Sequence, residues 1–164
     1  MADKSDIKVL IVDDEETLLE YMSKRLVREG FRVKTTLSGE EGVEAATSEL
    51  FDVAVVDMKM PGIDGVETQK ALKKVQPFLQ CIVLTGHGNV DTALESGQQE
   101  AFKYLLKPID YDNLVKTMRE AYEKKVEVQS VKFKQRVEEL SKTGLGAKGI
   151  RKAIDKLRKE YGIE

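Results

Sequence analysis

The residues best suited to metal or phosphoryl chemistry stand at the ends of short apolar runs. Asp13 and Asp14 follow one run, and Asp57, Thr85 and Lys107 lie at the ends of three others. Clustered carboxylates raise one another's pKa unless a cation compensates, and hard oxygen ligands favour Mg²⁺. With a metal and an ammonium supplying positive charge, one carboxylate can attack phosphorus while a hydroxyl donates to the phosphoryl oxygens. Asp57 is the expected nucleophile, because a Met-Lys-Met-Pro-Gly loop follows it and should leave it accessible.

Five β-branched apolar runs are predicted to be the strands that position these residues. They are IKVLIV (7–12), FRVKTT (31–36), DVAVVD (52–57), CIVLT (81–85) and FKYLL (102–106). Segments of helical spacing separate them, which predicts a doubly wound α/β fold around a parallel sheet. FRVKTT alternates in polarity and should lie at an edge. The functional side chains should meet at the carboxyl ends of the strands.

A long amphipathic helix is predicted from residue 110 to about residue 141. Apolar or neutral residues recur every three or four positions at Val115, Met118, Tyr122, Val126, Gln129, Phe133, Val137 and Leu140. The run TGLG (143–146) should break the helix, and Ile150, Ile154, Leu157 and Tyr161 mark a short second one. We therefore expect one domain over 1–124 and a helical extension over 125–164.

Composition and charge restrict the class of protein. The chain is 41% hydrophobic and 34% charged, without a run long enough to span a membrane, and is expected to be a cytoplasmic globular protein. Residues 1–123 hold 15 Lys and Arg against 23 Asp and Glu, whereas residues 124–164 hold 12 against 6. The basic tail is interpreted as a solvated surface, and nucleic acid is disfavoured as a partner because no nucleic-acid motif accompanies the charge. Cys81, within an apolar run, is expected to be a packed core thiol.

Several short motifs resemble one known family. They are the pair Asp13-Asp14, MKMPGIDG after Asp57, VLTGHG containing Thr85, and KYLLKP containing Tyr104 and Lys107. In this order, they resemble the receiver domain of bacterial response regulators, with VLTGHG similar to receivers of sigma-54-dependent regulators. The resemblance covers about residues 5–124. It implies a flavodoxin-like sheet of strand order 2-1-3-4-5.

The resemblance also implies a role for each site residue. Asp14, Asp57 and the backbone carbonyl of Lys59 would bind Mg²⁺, with Asp13 assisting through water. Lys107 would pair with the phosphoryl group that Asp57 receives from the phosphohistidine of a sensor histidine kinase. The chain would be a phosphoacceptor that assists its own phosphorylation and dephosphorylation rather than an enzyme.

Thr85 and Tyr104 would form the switch. The Thr85 hydroxyl would bond the phosphoryl group and Tyr104 would turn inward, remodelling a surface made by the fourth predicted helix, the fifth strand and the fifth helix. The Lys107-Pro108 bond would be cis. His87 and Lys59 occupy positions that tune the lifetime of the phosphorylated state in the family, and Glu100 stands where many receivers have a glycine.

Two rival functions are disfavoured. An aspartyl-phosphate phosphatase would need a second Asp where Lys59 stands, and a flavodoxin-like cofactor binder would need a phosphate loop where the chain has the acidic DDEE. For the output, three readings stay open: a phosphorelay intermediate, a single-domain regulator acting through protein contacts, or a fragment of a longer regulator. The apolar stripe of residues 110–141 is expected to pair with a second copy or a partner helix, or to fold back on its own domain.

Overall fold

A five-stranded parallel sheet is the centre of the computed structural model, which describes residues 6–86 and 101–163. The strands are β1 (Lys8–Val12), β2 (Arg32–Thr36), β3 (Val53–Asp57), β4 (Gln80–Thr85) and β5 (Lys103–Leu106). The helices of the described residues are α1 (Glu16–Arg28), α2 (Gly39–Ser48), α3 (Gly65–Val75), α4 (Tyr111–Ser141) and α5 (Ala147–Glu160). The strand order is β2-β1-β3-β4-β5, so the predicted fold class and the edge position of β2 are confirmed.

Each central strand buries both of its faces. Val9 and Ile11 point to one side of β1, where α1 and α4 pack, whereas Leu10 and Val12 belong to the core on the opposite side with Leu72 of α3. Side chains alternate along a strand, so a strand that is covered on both sides must be apolar throughout. Burying one such side chain contributes about 1.5–3 kcal/mol.

Cys81 belongs to the second of these cores and is fully buried. Burial raises the pKa of its thiol to about 12, because the thiolate would be stripped of water. The expectation of a packed core thiol is confirmed.

The register of the parallel strands aligns their carboxyl ends along one edge of the sheet. Val12 pairs with Val56 across β1 and β3, and Asp57 pairs with Leu84 across β3 and β4. Thr85 pairs with Leu106, one residue before Lys107. The residues that follow these strands therefore share one edge of the sheet.

Contacts divide the chain into two units, Met1–Glu123 and Lys124–Glu164. Within the second unit, the carboxyl-terminal part of α4 packs on α5. The rings of Phe133 and Tyr161 meet edge to face with centroids 6.2 Å apart, the amide of Gln129 donates to the carbonyl of Tyr161, and Leu157 is buried. Between the helices, Gly144 adopts a φ of 75°, a left-handed conformation that suits glycine.

The apolar stripe of α4 is covered in part by its own chain. Val115 and Met118 belong to the core of the sheet domain, and α5 covers the residues near Phe133. Val126 on the same stripe stays 43% exposed. Ile150, Ile154 and Leu157 recur at helical spacing on one side of α5, which gives this helix an apolar face for packing.

Over residues 6–86 and 101–163, no helix is both long and apolar enough to cross a membrane. The predicted fourth helix, His87 and Glu100 all lie outside the described residues.

Candidate functional site

Three carboxylates come together at the carboxyl edge of the sheet. One oxygen from each of Asp13, Asp14 and Asp57 lies within 4.8 Å of the others. Asp13 and Asp57 are buried and Asp14 is exposed. The cluster therefore has a protein side and a solvent side, as a site that receives a ligand from solution requires.

Backbone hydrogen bonds at the strand ends hold these residues in place. The amide of Asp13 donates to the Thr36 carbonyl at 3.2 Å, and the amide of Lys107 donates to the Thr85 carbonyl at 2.8 Å. Both bonds continue the sheet beyond the last paired residues. They fix the chain from which the Asp13 carboxylate and the Lys107 ammonium extend.

The end of β3 is fixed by a close approach of α3. The amide of Met58 donates to the Leu84 carbonyl at 2.7 Å, and that of Gly65 donates to the Met58 carbonyl at 2.8 Å. A Cβ at position 65 would lie 2.5 Å from the Asp57 carbonyl oxygen, so a glycine is needed there. The sequence analysis did not single out Gly65. The signal was a glycine directly after the Asp64 cap of a helix that follows a buried strand.

Lys107 is the cation of the site. Its Nζ lies 2.6 Å from Oδ1 of Asp57, whose side chain is 8% exposed. The expectation that the following loop leaves Asp57 accessible was therefore wrong. The lysine lies against the carboxylate, and the strand end that carries Asp57 is buried on both faces.

Burial and mutual repulsion set the ionisation of the acids. Burial, and then the charge of Asp14, raise the pKa of Asp57, although Lys107 opposes them. Burial also raises the pKa of Asp13, with the charge of Asp57 adding to the effect and the Glu15 backbone amide opposing it. Burial lowers the pKa of Lys107, but its bond to Asp57 and the nearby acids outweigh this, so the net shift is upward.

Asp13 has one oxygen that suits a cation. Oδ1 accepts the Glu15 amide at 2.9 Å, while Oδ2 is buried and has no hydrogen-bond partner in the described part of the chain. A buried carboxylate oxygen without a partner is costly. Because Asp13 also offers one oxygen to the cluster with Asp14 and Asp57, the residues present fit a hard divalent cation.

Removing the charge of Asp13 is expected to stabilise the metal-free protein at neutral pH. Burial raises the pKa of Asp13 in the folded protein above its ordinary value of 3.8. Between these two pKa values the folded state binds more protons than the unfolded state, so the free energy of unfolding falls as the pH rises. Asp13→Asn keeps the acceptor for Glu15 and should raise the free energy of unfolding near pH 7. The gain should shrink as the pH is lowered toward the ordinary pKa of an aspartate.

Urea unfolding in chelator at several pH values measures this difference. Adding Mg²⁺ should stabilise the wild type and leave Asp13→Asn much less affected. A variant that is less stable than the wild type in chelator at pH 7 would contradict this view of Asp13.

Thr85, Tyr104 and Lys59 lie around the cluster in different environments. Thr85 is fully buried, and its hydroxyl donates to the Gly86 carbonyl at 3.2 Å. Tyr104, in β5, is half-buried and pairs with Val83. Lys59 is exposed in the loop after Asp57. The Lys107-Pro108 peptide bond is cis, as expected.

An acidic cluster with one lysine, at the carboxyl edge of a 2-1-3-4-5 sheet, defines a receiver-type α/β domain. The family model of the response regulator receiver domain matches residues 9–119. The chain belongs to this family and is a receiver domain of two-component signal transduction.

Individual proteins that match the chain are also response regulators or receiver domains. The chain is 37% identical over 115 residues to the transcriptional regulatory protein GlrR of Escherichia coli, a match that covers 70% of this chain and 26% of that protein. It thus spans about a quarter of the length of this curated relative. A receiver domain structure from Clostridium thermocellum matches with a TM-score of 0.70 and 35% identity, covering 74% of this chain and 98% of the other.

A third relative was solved with ligands. The response regulator TrrA of Thermotoga maritima, in complex with Mg(2+)-BeF, matches with a TM-score of 0.63 and 29% identity. The match covers 70% of this chain and 98% of that one.

Proposed function

We propose that this receiver accepts a phosphoryl group on the Asp57 carboxylate from the phosphohistidine of a sensor histidine kinase. The observation that carries the proposal is the 2.6 Å contact of Lys107 with Asp57 beside two further carboxylates. An oxygen of Asp57 attacks phosphorus, a P–O bond forms, and the P–N bond to the kinase imidazole breaks. The electron pair of the P–N bond returns to that ring nitrogen, and the imidazole, protonated by solvent on its other nitrogen, leaves as the neutral ring.

Charge control around Asp57 makes this attack feasible. Lys107 bonds the carboxylate before the reaction and can transfer that bond to a phosphoryl oxygen as charge develops there. The bond also favours the ionised form of Asp57, opposing the upward effect of burial on its pKa. The chain is then a phosphoacceptor that assists its own phosphorylation and dephosphorylation, with the kinase supplying the donor.

Mg²⁺ is the cofactor we propose for the acidic cluster. Asp13, Asp14 and Asp57 would hold the ion, together with the backbone carbonyl of Lys59. When bound, the ion supplies positive charge that offsets the carboxylates and the incoming phosphoryl group. The unpartnered oxygen of Asp13 supports this assignment, as does the Mg(2+)-BeF complex of the Thermotoga relative.

Thr85 and Tyr104 are the proposed switch. The Thr85 hydroxyl would leave the Gly86 carbonyl and donate to a phosphoryl oxygen, and the Tyr104 ring would turn toward the space left behind. A local charge would thereby change the packing of the surface that includes β5.

Labelling by acetyl phosphate tests the proposed function. In the presence of Mg²⁺, the wild type should acquire one phosphoryl group that is labile in both acid and base, the behaviour of an acyl phosphate. Chelation of Mg²⁺ should prevent labelling. Lack of any incorporation, or equal incorporation in chelator, would refute the proposal.

The output is proposed to act through protein contacts, either as a single-domain regulator or as a phosphorelay intermediate. A longer regulator containing this receiver is the alternative that the curated relatives suggest. Pairing with a second copy or partner helix through residues 110–141 has less support than the sequence indicated, because α5 covers part of the stripe. Sedimentation with and without beryllofluoride tests it, and a monomer under both conditions would exclude the homodimer.

A further inference from the structure

The loop between β3 and α3, residues 58–64, is attached to α2 through Glu40. The Ile63 amide donates to Oε1 of Glu40 at 3.2 Å. The same oxygen lies over Gly62, where an added Cβ would come within 2.5 Å of it. Gly62 has a φ of +80°, a conformation that side-chain-bearing residues rarely adopt. The loop backbone at Gly62 and Ile63 therefore lies directly against the Glu40 carboxylate.

The helix that carries Glu40 has a fixed beginning. Ser38 caps α2 by accepting the Glu41 amide at 3.1 Å, and the Glu41 carboxylate accepts the Leu37 amide at 3.1 Å. A Cβ on Gly39 would approach Cγ1 of Ile63 at 2.6 Å. The first turn of α2 thus meets the loop at two successive positions, and its cap does not depend on Glu40.

The rest of the loop is attached to the sheet and to α3. Met58 bonds the end of β4 and Gly65 bonds Met58, as described above. Lys59 follows Met58 directly and lies four residues before Ile63, and Pro61 restricts the backbone between Lys59 and Ile63. The position of Ile63 therefore limits the positions open to the Lys59 carbonyl.

We infer that Glu40 is a positioning residue for the metal site, acting through the Ile63 amide on the loop that carries the Lys59 carbonyl. The inference rests on the proposed function, in which that carbonyl is a Mg²⁺ ligand. Groups that orient metal ligands can change metal affinity by about 10–100-fold when removed. Glu40 is exposed and its bond is a single one, so the expected effect is smaller, about 3- to 10-fold.

Calorimetric titration of the full chain with Mg²⁺ measures this effect. Glu40→Ala should raise the Kd by about 3- to 10-fold. Glu40→Gln keeps an oxygen acceptor for Ile63 and should stay within about twofold of the wild type. Glu44→Ala removes the charge of another exposed acid of α2 and should also stay within about twofold.

Amide hydrogen exchange of the metal-free protein gives a second readout. The Ile63 amide should exchange faster in Glu40→Ala than in the wild type or Glu40→Gln, because only the alanine removes its acceptor. An unchanged Kd in Glu40→Ala, or a Glu40→Gln or Glu44→Ala variant that weakens binding equally, would overturn the inference and leave the proposed function intact. A wild type that does not bind Mg²⁺ would overturn both.

Discussion

Replacing Asp57 with Asn is expected to abolish phosphorylation by acetyl phosphate. The amide keeps the size of the side chain and can still accept a hydrogen bond from Lys107, but it is not a nucleophile toward phosphorus. Labelling should therefore fall by at least about 10³-fold, as expected when a nucleophile is removed from a site whose groups act together. Incorporation of phosphate into intact protein, followed by mass spectrometry, measures the loss.

Asp64→Asn is the matched control for this variant. Asp64 lies in the loop after Asp57 and caps α3 by accepting the Glu67 amide at 2.8 Å, a role that Asn fills about equally well. It should be labelled at the wild-type level. Thermal unfolding checks that Asp57→Asn is folded, and labelling of a folded Asp57→Asn at the wild-type rate would mean that another residue accepts the phosphate.

Replacing Lys107 with Met should lower the rate of phosphorylation by about 10²- to 10³-fold while leaving the acceptor in place. The ammonium contacts Oδ1 of Asp57 at 2.6 Å, and its removal takes away both the donor to the phosphoryl oxygens and the charge that opposes the high pKa of Asp57. Loss of one preorganised donor in a buried site has an effect of this size. A time course of labelling with acetyl phosphate, quenched at successive times, gives the rate.

Lys103→Met is the control for the loss of a lysine from the same strand. Lys103 begins β5, is exposed, and lies at the opposite end of the strand from the acidic cluster. Its replacement should change the labelling rate by less than about twofold, because exposed charges at such a distance are screened. Equal labelling rates for Lys107→Met and the wild type would show that Lys107 does not contribute to phosphorylation.

Much of the fold could be predicted because each strand has a clear local signal. The runs ending at Val12, Asp57 and Thr85 are apolar throughout, and a strand of that kind must be covered on both faces. The strand order came from the family resemblance instead, because no local pattern specifies which strands are neighbours.

The convergence of the site residues could also be anticipated from the strand ends. Parallel register brings Asp13, Asp57 and Lys107 to one edge, whatever their distance along the chain. Their accessibility could not be predicted in this way. The burial of Asp57 depends on the Lys107 side chain and on Gly65 of α3, which approach it only in the folded state.

The helical hairpin illustrates a different limit. Spacing along the chain indicated an apolar stripe near Phe133 and another on α5, but not that the two would meet each other. A pattern identifies a face that needs covering, whereas the identity of the covering element depends on competition among all available apolar surfaces. The left-handed conformation of Gly144 lies in the turn that joins α4 to α5.

Peptide mapping by mass spectrometry identifies the residue that carries the phosphoryl group. Wild-type protein incubated with Mg²⁺ and acetyl phosphate should carry one phosphoryl group on Asp57 and be unmodified when Mg²⁺ is chelated. A phosphoryl group on any other residue, or modification of Asp57 that proceeds equally without Mg²⁺, would contradict the account in which the acidic cluster, a divalent ion and Lys107 together make Asp57 the acceptor.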